Sequence, residues 1–175
     1  MISAFNDHKP LIGDRVFIAP SADVIGRCEI GEDCSVWFGA VIRADVHRVK
    51  IGARVSVQDG AVIHVTHSVL ADESDGFPTV VGDDVTIGHR AVLHGCVIEN
   101  ACLIGMGAII LDGAVIGAES IVGAGALVTQ NRVFPPRSLI LGSPAKVART
   151  LSDGEVKELY ASASRYVALK SSYLA

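Results

Sequence analysis

Aliphatic residues recur at every sixth position along most of the chain, and a small residue commonly stands four positions after each of them. The aliphatic positions, with one interval of five residues between Leu93 and Ile98 and two longer ones discussed below, run in this order: Ile18, Val24, Ile30, Val36, Ile42, Ile51, Val57, Ile63, Val81, Ile87, Leu93, Ile98, Ile104, Ile110, Ile116, Val122 and Val128. A period of six is neither the 3.6 residues of a helix nor the alternation of a single strand. Such a repeat is typical of stacked units that bury their apolar faces only against one another.

The repeat predicts an all-β solenoid, namely a parallel β-helix of triangular section. Each hexapeptide forms one short side and one corner, three of them form a coil, and successive coils rise by about 4.8 Å, the spacing of paired strands. The aliphatic side chain fills the interior, and the small one fits beside the corner. Half of the residues are hydrophobic but only 5% are aromatic, so Val, Ile, Leu and Ala must fill this core.

The chain changes character after Val128, where the repeat ends. Prolines and glycines mark an extended segment, and Ser152-Asp153-Gly154-Glu155 resembles the capping box of a helix. We therefore predict one domain, with residues 1–150 forming the β-helix and residues 151–175 a helix packed outside it, on its own subunit or a neighbour's. The helix is predicted to about residue 174 from an apolar stripe formed by Val156, Leu159, Tyr160, Ala163, Val167, Tyr173 and Leu174.

The interval between Ile42 and Ile51 is longer than the repeat allows. It is nine residues long, which indicates about three inserted residues around residues 46–48. With these residues set aside, one coil has its aliphatic residues at positions 30, 36 and 42, and the next at 51, 57 and 63.

The interval between Ile63 and Val81 admits two interpretations. Its 18 residues would suffice for a full coil, but Asp75 would then occupy an aliphatic position. We therefore predict a loop of about twelve inserted residues that includes residues 68–78. A regular coil over residues 68–80 would instead move the two histidines discussed next onto different sides.

With this register, three histidines take defined positions. His64 and His94 each follow an aliphatic residue of the third side and stack one coil apart, with Arg43 in the coil before them. A spacing of about 5 Å suits two ligands of one metal ion. His89 lies on another side, in a column with Asp59, so it cannot easily reach the same ion within its own chain. A threefold trimer would bring it against a neighbour's pair, and three histidines with an open fourth position describe a catalytic zinc centre.

The remaining polar candidates are more ambiguous. His8 and His47 lack a partner in register and are interpreted as ordinary polar residues. His67, three residues beyond His64, is either an alternative ligand or a polar group that lines the pocket. Arg43, together with the acidic residues Asp45 and Asp59, also fits a simple role in ion pairs between subunits.

Composition narrows the classes of function. A net charge of −4 gives no reason to expect nucleic acid. We see no signal peptide and no apolar stretch of the roughly 18 residues that a membrane span needs. Three of the four cysteines, Cys28, Cys34 and Cys102, occupy the small inward position and lack the paired spacing of a structural zinc site. Unpaired cysteines fit a reducing compartment, so we expect a cytoplasmic protein.

Several short motifs resemble the gamma-class carbonic anhydrase family, in particular its small bacterial members. They are Arg43-Ala44-Asp45, Gln58-Asp59-Gly60, Ile63-His64, Gly88-His89 and Leu93-His94-Gly95. A further motif, Gly142-Ser143-Pro144-Ala145-Lys146, is shared more broadly with hexapeptide acyltransferases. The resemblance covers nearly the whole chain and implies a left-handed coil, which the period alone does not determine.

The resemblance also implies a function and a set of site residues. The family is homotrimeric and holds zinc, or iron or cobalt, between subunits, with His64, His89 and His94 as the implied ligands. Metal-activated water then hydrates CO2 to bicarbonate. Arg43 is implied to pair with Asp45 and, across the interface, with Asp59. Gln58 is implied to orient the activated water.

The chain departs from the best-characterised members of that family in its proton-transfer residues. They carry a glutamate after the aspartate of the Arg-x-Asp motif and another in an acidic loop, whereas Val46 and His67 stand here. The loop has Asp72, Glu73 and Asp75, none in clear register. His67 is the candidate for proton transfer, because imidazole is the side chain that most readily exchanges a proton near neutral pH.

Three other functions stay open at this point. One is a trimeric metal-binding or scaffold protein with little or no catalysis. Another is a hexapeptide acyltransferase that uses acetyl-CoA, although one histidine base would suffice there and the paired histidines would be unexplained. The third is metal-dependent hydrolysis of a small ester or thioester.

Overall fold

The computed structural model describes residues 1–70 and 73–174. Within this part of the chain, short β-strands precede one long α-helix. In order they are β1 (Ile2–Ser3), β2 (Leu11–Ile12), β3 (Phe17–Ile18), β4 (Asp23–Ile30), β5 (Ser35–Val36), β6 (Val41–Ile51), β7 (Ser56–Val57), β8 (Val62–His64), β9 (Thr79–Val81), β10 (Thr86–Ile87), β11 (Val92–His94), β12 (Val97–Ile98), β13 (Leu103–Ile104), β14 (Ile109–Ile110), β15 (Val115–Ile116), β16 (Ile121–Val122), β17 (Leu127–Val128), β18 (Val133–Phe134), β19 (Ser138–Gly142), β20 (Ala145–Thr150) and α1 (Asp153–Leu174).

The strands stack in parallel, one coil upon the next, and form three sides. The histidine side comprises β1, the first halves of β4 and β6, and then β8, β11, β14 and β17. The helix side comprises β3, β5, β7, β10, β13, β16 and β19, with β20 added antiparallel at its end. The remaining side comprises β2, the second halves of β4 and β6, and then β9, β12, β15 and β18. The predicted left-handed parallel β-helix with a C-terminal helix is confirmed.

The predicted grouping of aliphatic residues into coils is also confirmed. On the histidine side, Ile63 pairs with both Ile42 and Leu93. On the remaining side, Val81 pairs with Ile51. These side chains are buried in one continuous core, and alanines or cysteines fill the space beside the corners. Each coil therefore buries its apolar side chains only against the coils above and below it.

Both predicted insertions occur as interruptions of the ladder. Where β6 pairs with β4, Gly26 is opposite Ala44 but Cys28 is opposite Val49, so three extra residues bulge from β6. The second insertion is a loop, because β9 resumes the ladder directly beside β6 and an isolated bridge between Thr66 and Phe77 closes the loop base. The loop interpretation was therefore correct, and a regular coil over residues 68–80 is not formed by the described residues.

One corner of the coil is built from charged residues in the left-handed backbone conformation. The corner holds Arg15, Asp33, Arg54 and Asp84 in four successive coils. Their φ angles are 55°, 58°, 57° and 59° in that order. This conformation costs an L-residue about 1–2 kcal/mol. Side-chain bonds between successive coils help to offset the cost: the Arg54 guanidinium contacts the Asp84 carboxylate at 2.7 and 2.8 Å.

The C-terminal helix lies against the helix side of its own chain. Its predicted capping box is formed, since Ser152 and Glu155 bond reciprocally through side chain and backbone. Val156 and Leu159 are buried beside outward residues of the solenoid, as predicted.

Part of the predicted apolar stripe is wrong. Tyr160 is 42% exposed and its hydroxyl bonds with Glu119, and Leu174 is half exposed. Tyr173, although half exposed, does pack its ring against Phe17 and Trp37. Lys170 is buried instead, because its ammonium reaches Asp33 on the charged corner. Along the described residues, no helix has the length and apolarity needed to cross a membrane.

Candidate metal centre

His64 and His94 lie side by side on the histidine side. Their Cα atoms are partners in the ladder between β8 and β11. The ring centroids are 5.0 Å apart, and Nδ1 of His64 lies 3.1 Å from Nε2 of His94. Two nitrogen ligands at about 2.0–2.1 Å from one tetrahedral zinc ion are about 3.3 Å apart. The observed separation of the two nitrogens is therefore close to that of two ligands of one ion.

Each ring is also bonded to a carboxylate on its other nitrogen. Asp45 Oδ1 lies 3.1 Å from His64 Nε2, and Asp112 Oδ1 lies 2.6 Å from His94 Nδ1. An ionised carboxylate only accepts hydrogen bonds, so the ring nitrogens that face Asp45 and Asp112 donate. In the neutral rings, the two nitrogens that face each other therefore carry lone pairs. A cation between them would relieve this repulsion, and on this donor chemistry the pair fits a divalent metal.

Burial keeps His64 suited to metal binding. Burial lowers the pKa of His64, and the hydrogen bond with Asp45 opposes that effect only in part. The neutral imidazole, which is the metal-binding form, is thereby favoured. Burial alone would raise the pKa of Asp45, but hydrogen bonds from Arg43 and His64 outweigh it, and the pKa is lowered. Arg43 and Asp45 form an ion pair within the chain.

His89 lies apart from this pair, at the corner that follows β10. Its Nδ1 is 2.8 Å from Asp59 Oδ2, and both side chains are 46% exposed. Neither side chain contacts His64 or His94 among the described interactions. A cavity of about 250 Å³ opens beside them, and its lining combines polar and aromatic residues: Trp37, Phe38, Gln58, Asp59, His89, Tyr166, Leu169 and Tyr173.

Gln58 and His67, the other predicted site residues, are placed very differently. Gln58 is buried, at 5% exposure, on the wall of that cavity. His67 is exposed at the start of the loop. Of the loop acids, Glu73 bonds with Arg27 and Asp75 bonds within the loop, away from the histidine pair. Asp72 lies outside the described residues.

The described part of one chain does not assemble a complete metal site. Within residues 1–70 and 73–174, no group of three or more His, Cys, Asp or Glu side chains comes together in a way that could hold an ion. What the chain offers is two adjacent histidine nitrogens, with the third predicted ligand, His89, on another part of the surface.

Two residues at this site were missed by the sequence analysis. Asp112 follows Ile110 by two positions, and the pairing of Leu93 with Ile110 puts it beside Gly95, so counting the register could have found it. Thr66 donates a hydrogen bond of 2.8 Å to Asp112 Oδ1. The position of Thr66 depends on how the loop closes, and no periodic pattern encodes that.

His47 was also misjudged as an ordinary polar residue. It is 1% exposed, and Gly76 of the loop packs so closely on its ring that a Cβ there would come within 2.6 Å. Its Nδ1 accepts a hydrogen bond from the backbone of Arg48. The residue belongs to the contact between the bulge of β6 and the loop.

The cysteines are core residues, as predicted. All four are free and buried. Burial raises the pKa of Cys96, the one next to the histidine side, to about 12. A thiol in that state is a poor nucleophile and a poor metal ligand at neutral pH.

Comparison with known proteins agrees with this architecture. The family model "Bacterial transferase hexapeptide (six repeats)" matches residues 9–44 and 95–130, and "Hexapeptide repeat of succinyl-transferase" matches residues 78–111. Protein YrdA of Escherichia coli is 50% identical over 99% of this chain and 94% of its own length. The carbonic anhydrase of Geobacillus kaustophilus is 39% identical over 95% and 87%. Gamma carbonic anhydrase 2, mitochondrial, of Arabidopsis thaliana is 42% identical over 93% of this chain and 58% of that protein.

Solved structures share the fold. A hexapeptide transferase family protein from Anaplasma phagocytophilum superposes with a TM-score of 0.91 at 35% identity, covering 99% of this chain and 98% of the other. The N-acyltransferase AntD of Bacillus cereus, at 15% identity and a TM-score of 0.69 over 84% and 86%, shares the fold alone. Fold and repeat together define a hexapeptide-repeat β-helix, with two histidines stacked on one of its sides. The chain belongs to the gamma carbonic anhydrase-like family of these proteins.

Proposed function

We propose that the protein is a metal-dependent carbonic anhydrase-like lyase that hydrates CO2 to bicarbonate. The observation that carries the proposal is the pair of His64 and His94, whose facing nitrogens lie 3.1 Å apart with a carboxylate behind each ring. Relatives that are named carbonic anhydrases support the same reaction.

The third ligand in this proposal is His89 of a neighbouring subunit in a homotrimer. Supporting the trimer, an apolar ridge runs along the outside of the histidine side beside His64 and His94. The residues of the ridge stack in register and are partly exposed: Val41, Val62, Val92, Ile109 and Leu127. No described part of the chain covers the ridge, whereas the corresponding residues of the helix side lie under α1. In this proposal, a second copy that covers the ridge brings the corner that carries its His89 to the pair of His64 and His94.

The metal in this proposal is zinc, with iron or cobalt as alternatives. Such an ion lowers the pKa of water bound to it, to about 7 for zinc in carbonic anhydrases. The residues of the chain have the remaining roles. Asp45 holds the His64 ring and is itself held by Arg43. Gln58, buried on the cavity wall, orients the reacting water through its amide.

Proton export is the weakest part of the site. His67 is exposed and can exchange protons with the solvent, so we assign it the shuttle role. Val46, which is 40% exposed, stands where an acidic residue would relay a proton towards His67, and it has no group that can do so. We therefore expect a turnover limited by proton transfer. The four free cysteines further favour a cytoplasmic location.

Metal content and hydration, measured on the same samples, test the proposal. The protein is prepared without oxygen, loaded with zinc, iron or cobalt, and assayed by stopped-flow with a pH indicator; its mass is measured by sedimentation. We expect a trimer with one ion per chain and hydration above the buffer rate. His64→Ala should lose both, and His8→Ala, a change at an exposed residue away from the site, should lose neither.

The other outcomes point to different functions. Full metal content and activity in His64→Ala would show that this residue is not a ligand. One ion per interface with no hydration in any metal or oxidation state would favour a scaffold. Acetyl-CoA binding by a metal-free protein would favour an acyltransferase.

A further inference from the structure

We infer that Asp112 is a positioning residue that fixes the tautomer of His94, and that Thr66 ties this carboxylate to the base of the loop. The inference rests on the proposed function only in taking His94 as a metal ligand. The juxtaposition of the three side chains belongs to the fold of the single chain.

The geometry determines which nitrogen of His94 carries the proton. Asp112 Oδ1 lies 2.6 Å from Nδ1 of His94, and the Asp112 side chain is only 18% exposed. Because the carboxylate accepts and does not donate, the proton resides on Nδ1. Nε2 is then left with its lone pair directed at His64 Nδ1. In water, neutral histidine is free to place its proton on either nitrogen, so Asp112 selects the form that can bind.

Asp112 itself is held on more than one side. Thr66 Oγ1 donates to the same oxygen that receives His94, at 2.8 Å, and Gln130 Nε2 lies 3.5 Å from the other oxygen. Gly95 leaves the space that this carboxylate occupies, because a Cβ at Gly95 would come within 2.3 Å of Asp112 Oδ1. The carboxylate is therefore placed before any ligand arrives.

Thr66 links this arrangement to the loop. Its backbone forms two hydrogen bonds with Phe77, of 3.0 and 3.3 Å, which join the two ends of the loop. The Phe77 side chain lies over Gly95, which faces the Asp112 carboxylate, and over Gly113, the residue that follows Asp112. Loss of the Thr66 hydroxyl should loosen Asp112 without removing any atom that touches the metal position.

Partners behind a metal-ligating histidine orient the ring and raise its basicity, and their loss weakens metal binding about 10–100-fold. We expect that loss in zinc affinity for Asp112→Ala. Asp112→Asn keeps an oxygen acceptor but no charge, so its loss should be smaller and the tautomer preserved. Thr66→Val, which is nearly isosteric, should also show a smaller loss.

Two measurements distinguish a positioning role of Asp112 from a role in stability alone. Zinc affinity is measured by competition with a chromophoric chelator, and the ¹⁵N shifts of the His94 ring are measured in the metal-free protein. We expect Nδ1–H in the wild type and a mixture shifted towards Nε2–H in Asp112→Ala. The matched control is Asp84→Asn, since Asp84 has a similar side-chain exposure of 17% and also accepts side-chain hydrogen bonds, from Arg54, but lies at the charged corner. It should lose stability and keep wild-type zinc affinity.

Three results would overturn the inference. They are Nε2–H in the wild-type protein, an Asp112→Ala affinity within about twofold of wild type, or an equal loss of affinity in Asp84→Asn. If Asp112→Ala does not fold, the wild-type tautomer and Asp112→Asn still decide the matter. Neither measurement uses CO2, so a zinc-loaded protein that fails to hydrate CO2 would refute the proposed function and leave this inference standing.

Discussion

Replacing Lys170 with methionine tests what holds the C-terminal helix on the solenoid. The ammonium of Lys170 is 2.9 Å from Asp33 Oδ1 and also bonds with the backbone carbonyl of Arg15, while its side chain is 2% exposed. Methionine keeps the apolar stem and removes the charge. The helix end that Lys170 anchors packs Tyr173 onto Phe17 and Trp37. Tyr173 and Trp37 both line the cavity beside His89.

The loss of stability in Lys170→Met depends on the exposure and the hydrogen bonds that Asp33 keeps. Removing one partner of a fully buried ion pair costs about 3–5 kcal/mol, mostly through the charge left behind. Asp33 is 19% exposed and keeps its hydrogen bonds from Arg15, one of them 3.0 Å long. We therefore expect a loss of about 2 kcal/mol, below the range for a fully stranded charge. In a domain of this size that lowers Tm by about 4–8 °C.

The loss should depend on pH with a definite sign. The hydrogen bond from Arg15, and then that from Lys170, hold the pKa of Asp33 well below its ordinary range. A carboxyl whose pKa is lowered by folding stabilises the protein above its unfolded pKa of about 3.9, and this contribution is lost as pH falls towards the folded value. The unfolded pKa is the same in both proteins, so the difference between wild type and Lys170→Met should persist at neutral pH. It should shrink only as the pH falls through the folded pKa of Asp33 in the variant, which Arg15 still holds below its ordinary value.

Calorimetry at one fixed protein concentration measures this, because association also shifts Tm. The control is Lys157→Met, which changes an exposed lysine of the same helix. The reasoning is refuted if Lys170→Met melts at the same temperature as Lys157→Met at pH 7. It is also refuted if the difference in Tm grows as the pH falls.

Three further predictions concern the ridge, the corner beside Asp112 and the thiols. If the proposed trimer and its metal exist, Val62→Asp should dissociate the trimer in sedimentation and release the metal. Val133→Asp, on the remaining side and 71% exposed, should leave both intact, and equal effects of the two variants would disprove the proposed interface. Gly95→Ala places a Cβ at a φ of 55° and in close contact with Asp112 and Phe77, so it should lower the free energy of unfolding by about 2–3 kcal/mol. Gly125→Ala, at a φ of 66° with nothing within 4 Å, should lower it by about 1 kcal/mol. Because burial raises the pKa of Cys28 and Cys96 to about 12, the native protein should not react with a thiol reagent at pH 8 until urea is added, and a fast-reacting thiol would contradict this assignment.

The sequence alone determined the coil, the length of both insertions and the stacking of His64 over His94. These properties follow from counting, because each inward aliphatic residue marks the start of one side and parallel pairing carries that register from coil to coil. A histidine that follows an aliphatic residue by one position therefore has a defined place on the surface before any contact is known.

Only the tertiary structure decided what surrounds those histidines. The carboxylates of Asp45 and Asp112, the hydroxyl of Thr66 and the buried ring of His47 meet through side-chain conformations and loop closure. The same holds for Lys170, which the helical pattern would leave in solvent but which Asp33 draws into the protein. Such contacts join segments far apart in the chain and recur at no period. They depend on where whole side chains reach, which the alternation of apolar and polar positions does not encode.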